Sequence, residues 1–199
     1  MKLLLLMTVL MATGCGYHFT DTSKDAQTTI SVPFIKGDSE GILINELVLA
    51  LSASGQFEYS RYNGNLTLHV SILSSGDERI GYRYDRNPVS GKLRDNIVGT
   101  ENRETVAAEV KLVDNYSCEI LFGPEIINAT ADYDYVDSNS IRDLVFFNSD
   151  GKPQTVLDFS LGQLDSVDGG HDDARLPVYR SLAQKIVDGL ILRDGQLPH

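Results

Sequence analysis

Six cations and two tyrosines crowd into residues 79–103: Arg79, Arg83, Arg86, Lys92, Arg94 and Arg103, with Tyr82 and Tyr84 interleaved among them. Only Asp85, Asp95 and Glu101 answer them, so this stretch is +3 in a chain of net charge −11. The planar fork of arginine matches phosphate oxygens, and a tyrosine ring offers apolar surface with a hydroxyl at its tip. The chemistry available to Arg79, Tyr82, Arg83, Tyr84, Arg86, Lys92 and Arg94 is recognition of an anionic, partly apolar surface. A solvated loop with scattered charge is the plainer alternative. Other clusters carry less. Asp132, Asp134 and Asp137 with Asn139 look superficially like a calcium loop, but the glycine and the later bidentate acid that such a loop requires are missing. His171-Asp172-Asp173 falls in a Gly-rich acidic stretch without companion histidines and reads as a solvated loop. There is no G-x-S-x-G elbow, no phosphate loop and no G-x-G-x-x-G. A triad need not show in sequence. No catalytic residue, metal ligand or cofactor is assigned, and the chain is expected not to be an enzyme; an activity that depended on His69 or His171 would revive that reading.

One further residue invites covalent chemistry. Met1-Lys2 supplies a positive charge, residues 3–11 are almost wholly apolar, and Ala12-Thr13-Gly14 set small residues before Cys15. That is the layout of a secretory signal, and its apolar run is too short to span a bilayer, which takes about 20 apolar residues. The small residues followed by cysteine resemble the lipobox of bacterial lipoproteins, with Ala12 standing where leucine is commonest. The resemblance implies a diacylglyceryl thioether and an acylated amine on Cys15, enough acyl chain for stable anchoring. An ordinary signal ending beside a cysteine is the alternative. Gly16 follows, rather than the aspartate that typically retains lipoproteins in the inner membrane, so the periplasmic side of the outer membrane is expected. After removal of residues 1–14 the chain has 16 basic and 28 acidic side chains, a poor balance for nucleic acid binding. Cys118 would be a lone thiol, expected as a small buried hydrophobe.

These residues need a frame. After a polar tether (15–27), residues 28–35 alternate as a strand, with Pro33 pointing to an edge or a bulge. Ser39 can cap a helix that runs to Ser54, with Leu43, Leu47 and Leu51 on its apolar face and Gly55 as its stop. Phe57 and Tyr59 alternate in a second strand, and Asn63-Gly64 reads as a two-residue hairpin turn. A third strand has Leu66, Leu68, Val70 and Ile72 inward, and a fourth has Val106, Ala108, Val110 and Leu112 inward. Residues 119–135 form the last strand region, with Ile127, Ala129, Ala131, Tyr133 and Tyr135 on one face. Gly123-Pro124 bends it or makes a bulge. Pro177 opens a closing helix that reaches about Arg193. The expected order is β-α-β-β-β-β-α, an α+β domain over 28–199 in which two helices cover one face of a mixed, mostly antiparallel sheet of four to five strands. A long hairpin occupies 79–103, and 136–175 reads as an insertion.

The arrangement resembles the lipopolysaccharide-assembly lipoprotein family, LptE. The likeness is carried by Gly14-Cys15-Gly16-Tyr17-His18-Phe19, the first strand and its leucine-rich helix, the "GQFEYS" return, the long hairpin, the paired strands and the closing "PVYRSLAQKIVDGLILR". It covers most of the mature chain as pattern more than identity. It implies a non-catalytic, lipid-anchored plug and scaffold seated in an outer-membrane β-barrel translocon protein (LptD-like), in contact with lipopolysaccharide. The opening strand–helix–strand also resembles α/β modules of curli-secretion lipoproteins and peptidoglycan-synthase activators, which would make the chain a protein-interaction module. Those modules usually continue with a helix after Tyr59, where this sequence favours a strand.

Overall fold

A computed structural model describes residues 28–87, 90–136, 145–155 and 167–194. The signal, Cys15 and the tether therefore lie outside the described residues, as do parts of the 136–175 insertion.

The elements are β1 (Thr28–Ser31), α1 (Ile42–Ser54), β2 (Phe57–Tyr59), β3 (Leu66–Arg86), β4 (Leu93–Asp114), β5 (Ile120–Asp134), β6 (Val145–Phe147), β7 (Pro153–Thr155) and α2 (Val167–Asp194). β1 to β5 form one sheet in the order β2-β1-β3-β4-β5. β1 runs parallel to both β2 and β3, and the remaining pairings are antiparallel. The architecture is thus the expected α+β: a mixed five-stranded sheet with two helices. β6 and β7 pair as a separate small hairpin within residues 136–175, the segment expected to be an insertion.

Inward residues follow the period of two that a half-buried strand requires. Leu66, Leu68 and Val70 on β3, Val106, Ala108, Val110 and Leu112 on β4, and Ala129 on β5 are buried together with Leu43, Leu47 and Leu51 of α1. From α2, Val178, Leu182, Ala183, Ile186, Val187 and Leu190 complete the same core at helical spacing. Each fully buried aliphatic side chain contributes roughly 1.5–3 kcal/mol. A smaller cluster, Tyr133, Tyr135 and Ala174, sits apart from it.

Several local expectations are corrected. Gly41 takes the cap position of α1, and the side chain that holds its N-terminus is Asp38, not Ser39: the two carboxylate oxygens accept from the backbone N–H groups of Ile42 and Ile44, each at 3.0 Å. Gly55 ends α1 in the left-handed conformation, as expected. Asn63-Gly64 is not a hairpin turn, because β2 and β3 are not neighbours and β1 lies between them. Gly64 is needed for close approach instead: a Cβ there would lie 2.5 Å from the Ser31 backbone nitrogen and 2.7 Å from the Leu66 carbonyl oxygen. Pro177 lies inside α2, which begins ten residues earlier, at Val167. Gly170 and Ala174 pack that earlier part against β5, so packing sets the start of the helix and the proline does not. Cys118 is exposed rather than buried, at a positive φ in the turn before β5. The irregularity expected at Gly123-Pro124 is present as register shifts where β4 pairs with β5 around Leu112 and Phe122.

Candidate functional site

Residues 79–103 are not a loop but the outer half of two long strands. β3 and β4 pair from Leu66↔Asp114 out to Arg86↔Leu93, with register shifts between Arg79 and Tyr82 and again before Arg86. Beyond Leu73 most β3 side chains are exposed, so the hairpin leaves the helical layer as an arm. Cross-strand partners project from the same side of a sheet, as do residues two apart on one strand. Tyr82, Tyr84 and Ile97, the last opposite Tyr84, therefore share one face, while Arg83 and Val98 share the other. Tyr82, Tyr84, Leu93 and Ile97 are each 58–59 % exposed, an apolar surface on an otherwise charged arm.

The predicted cations divide by their contacts. Arg94 pairs with Asp85 at 3.1 Å. Arg86 donates to the Gly91 carbonyl at 3.2 Å, across the hairpin tip. Arg103 grips Asp132 with two bonds of 2.6 and 2.8 Å, which hold the Asp132 carboxyl below the usual carboxylate range. Arg79 and the Tyr135 hydroxyl both lie over Gly99, where a side chain would not fit, and Tyr82 donates its hydroxyl to the Arg79 carbonyl at 3.3 Å. Lys92 and Arg83 are exposed near the tip. The structure thus gathers the seven predicted residues on one arm, with the tyrosines forming a surface and part of the charge turned back onto the arm itself. Asp132 and Asp134 are exposed on β5, as alternation suggested; Asp137 and Asn139 lie outside the described residues.

Where the arm leaves the body the structure assembles a polar cluster that the sequence did not reveal. Asp77 on β3 and Glu104 on β4 stand directly opposite each other. Glu104 is 1 % exposed; its Oε1 accepts from Ser75 Oγ at 3.2 Å, and burial pushes its carboxyl above the usual range. Asn102 donates to the Tyr133 hydroxyl at 3.0 Å, and that hydroxyl donates to Asp77 at 3.2 Å. His171, expected in a solvated loop, lies on α2, with its Nε2 3.7 Å from both Asp77 and Glu104. Among the described residues, Asn102 Oδ1, Glu104 Oε2 and Tyr135 Oη are buried without a hydrogen-bond partner. One signal for this cluster was readable: Asn102 and Glu104 continue the inward phase of Val106 to Leu112. No group of three or more His, Cys, Asp or Glu side chains among the described residues is arranged to hold a metal ion.

A second surface also went unread. Phe34, Leu49 and Tyr62 are exposed around a groove of about 810 Å³ beside α1 and the ends of β1 and β2. No helix among the described residues is long and apolar enough to cross a membrane.

No protein-family model and no curated protein matches the chain. Solved structures do resemble it. One is a Caulobacter crescentus protein described as a lipoprotein, at 14 % identity and TM-score 0.47, with 87 % of this chain and 95 % of that one covered. A minor lipoprotein of Acinetobacter baumannii is similar at 14 % identity and TM-score 0.43, covering 86 % and 95 %. Protein XCC0632 of Xanthomonas campestris is similar at 12 % identity and TM-score 0.42, covering 85 % and 86 %. At such identities none of them carries a function to this chain.

Proposed function

We propose that this chain is a lipoprotein anchored through Cys15 to the periplasmic side of the outer membrane. There it is the scaffold and plug partner of a β-barrel translocon protein of the LptD type, in lipopolysaccharide transport and assembly. The role is binding and assembly, not catalysis. The observation that carries the reading is the β3–β4 arm, where cations and exposed aromatics gather on one projection of an acidic domain. Lipopolysaccharide presents phosphates beside acyl chains, and arginine forks next to tyrosine rings suit that combination. An arm of paired strands also offers a stiff element to a barrel interior. Anchoring rests on the sequence around Cys15. The curli-secretion or synthase-activator reading has less support because β3 follows β2 where such modules usually continue with a helix.

Three measurements test it. Labelled palmitate is incorporated into the wild type and not into Cys15→Ala. Capture of the detergent-extracted chain recovers an outer-membrane barrel. Arg83→Glu with Arg86→Glu weakens lipopolysaccharide binding at least several-fold while circular dichroism stays that of the wild type. Unchanged glycolipid binding and unchanged barrel capture in the double variant would remove the role of the arm.

A further inference from the structure

We infer that residues 16–20, Gly16-Tyr17-His18-Phe19-Thr20, add as a short antiparallel strand to the open edge of the sheet at Val32, with the rings of Tyr17 and Phe19 seated in the groove beside α1.

The groove exists because β2 is short. β2 pairs with β1 from Thr28↔Phe57 to Ile30↔Tyr59, and the pairing closes where the Ser60 N–H donates to the Ile30 carbonyl at 2.9 Å. Val32, two residues on, is buried in the same phase as Ile30, so its N–H and C=O turn to the side that β2 occupies lower down. There β2 has ended, because the chain crosses over the β1 backbone at Gly64 to start β3 on the other side. Val32 makes no backbone hydrogen bond among the described residues. An unpaired edge beside a pocket for side chains is the setting in which an extended peptide adds as a strand.

The walls of the groove define the strand that fits. Ile44, Val48 and Leu49 of α1 line it with Phe34, Tyr59 and Tyr62, and Phe34, Leu49 and Tyr62 are 61–81 % exposed. None of the lining residues is acidic, in a chain with 28 Asp and Glu, and Arg61 lies over the Tyr62 ring at 5.6 Å. Such a site suits an uncharged segment with large apolar side chains two residues apart, which an extended strand sends to one side.

Residues 16–20 are such a segment. They contain no Asp, Glu, Lys or Arg, and Tyr17 and Phe19 are the aromatic residues between Cys15 and Thr28. Length and direction fit as well. Val32 lies about 13 Å along the strand from Thr28. The chain from 21 to 27 spans up to about 25 Å, enough to pass round the three-residue β2. A segment at the Val32 edge that must still run on to Thr28 lies antiparallel to β1. Because it is joined to the sheet, its effective concentration is on the order of mM, so two seated rings hold it. The inference does not need the anchor. Where Cys15 is acylated, which rests on the function proposed above, Gly16 alone separates the lipid from Tyr17, and the groove end of the body faces the bilayer.

The test is amide hydrogen exchange on residues 15–199, made without the preceding residues and so without lipid, in detergent-free buffer. Protection factors in 16–20 and 31–35 are expected to be at least about tenfold higher than in Tyr17→Ser/Phe19→Ser, with 182–190 unchanged. Leu49→Lys, at an exposed position of the opposite wall, is expected to remove the protection of 16–20 to the same extent. Unprotected 16–20 amides in the wild type would overturn the inference and leave the edge to a strand from another chain. Protection of 16–20 that survives either variant would overturn it too. Failure of palmitate labelling, barrel capture or glycolipid binding leaves these readouts untouched.

Discussion

Glu104 shows what one residue can cost a fold. It stands in the inward row of β4, in phase with Val106, Ala108, Val110 and Leu112, where the period of two leaves no choice of side. Burial raises its carboxyl above the ordinary range, with His171, the Ser75 hydroxyl and Arg175 acting against that shift and Asp77 adding to it. The folded chain therefore binds this proton more tightly than the unfolded chain. The stabilisation is full below the ordinary glutamate range and is lost as pH rises through the raised value. Glu104→Gln keeps an acceptor for Ser75 and removes the buried charge. Its urea-unfolding midpoint should equal or exceed the wild type at pH 8, with the gap closing towards pH 5; a variant less stable at pH 8 would refute this account. Inward polar residues were visible in the alternation at 102 and 104. His171 was not, because its partners come from strands 67 and 94 residues earlier and nothing local marks it.

At the scale of elements, the strand interiors and the closing helix were legible because burial enforces their periods, as Leu66 to Ile72 and Tyr179 to Ile191 show. Boundaries and pairings were not. Ser39 satisfied the local pattern for a helix cap, yet Asp38 holds the helix N-terminus with two bonds, which a carboxylate can supply and a single hydroxyl cannot. Asp38→Ala should therefore destabilise the chain by about 0.5–2 kcal/mol, measured by denaturant unfolding, whereas Ser39→Ala should be near neutral. Equal effects would refute this assignment of the cap. Asn63-Gly64 failed as a turn signal for a different reason. Its glycine answers a steric demand from Ser31 and Leu66, and that demand exists only once β1 has inserted between β2 and β3. The arm was recognised as a hairpin but not as paired strands, since its exposed outer half lacks the apolar alternation that marks a buried strand.

Taken whole, the molecule divides its tasks. A one-sided core of sheet and two helices holds the fold, the arm carries exposed cations and rings, and the polar cluster around Asp77 and Glu104 lies where the two meet. Composition made the acidity and the class of fold accessible; the order β2-β1-β3-β4-β5 was not, because it depends on crossovers that leave no local trace. The place of α2 in that order also governs how the chain can mature. Leu43, Leu47 and Leu51 of α1 share one core with Val178, Leu182 and Ile186 of α2, and Arg180 reaches back to Glu46 at 3.0 Å. Helix α1 thus lacks part of its cover until the residues from Val178 to Leu190 have emerged. Chains interrupted before Val178 should bind a hydrophobic dye and be cleaved within α1 by protease, where the full chain resists both. A resistant truncation would show that the sheet alone shields α1. A core built this way from α1 and a helix more than a hundred residues later closes late, so the order of synthesis and the order of packing differ in this fold.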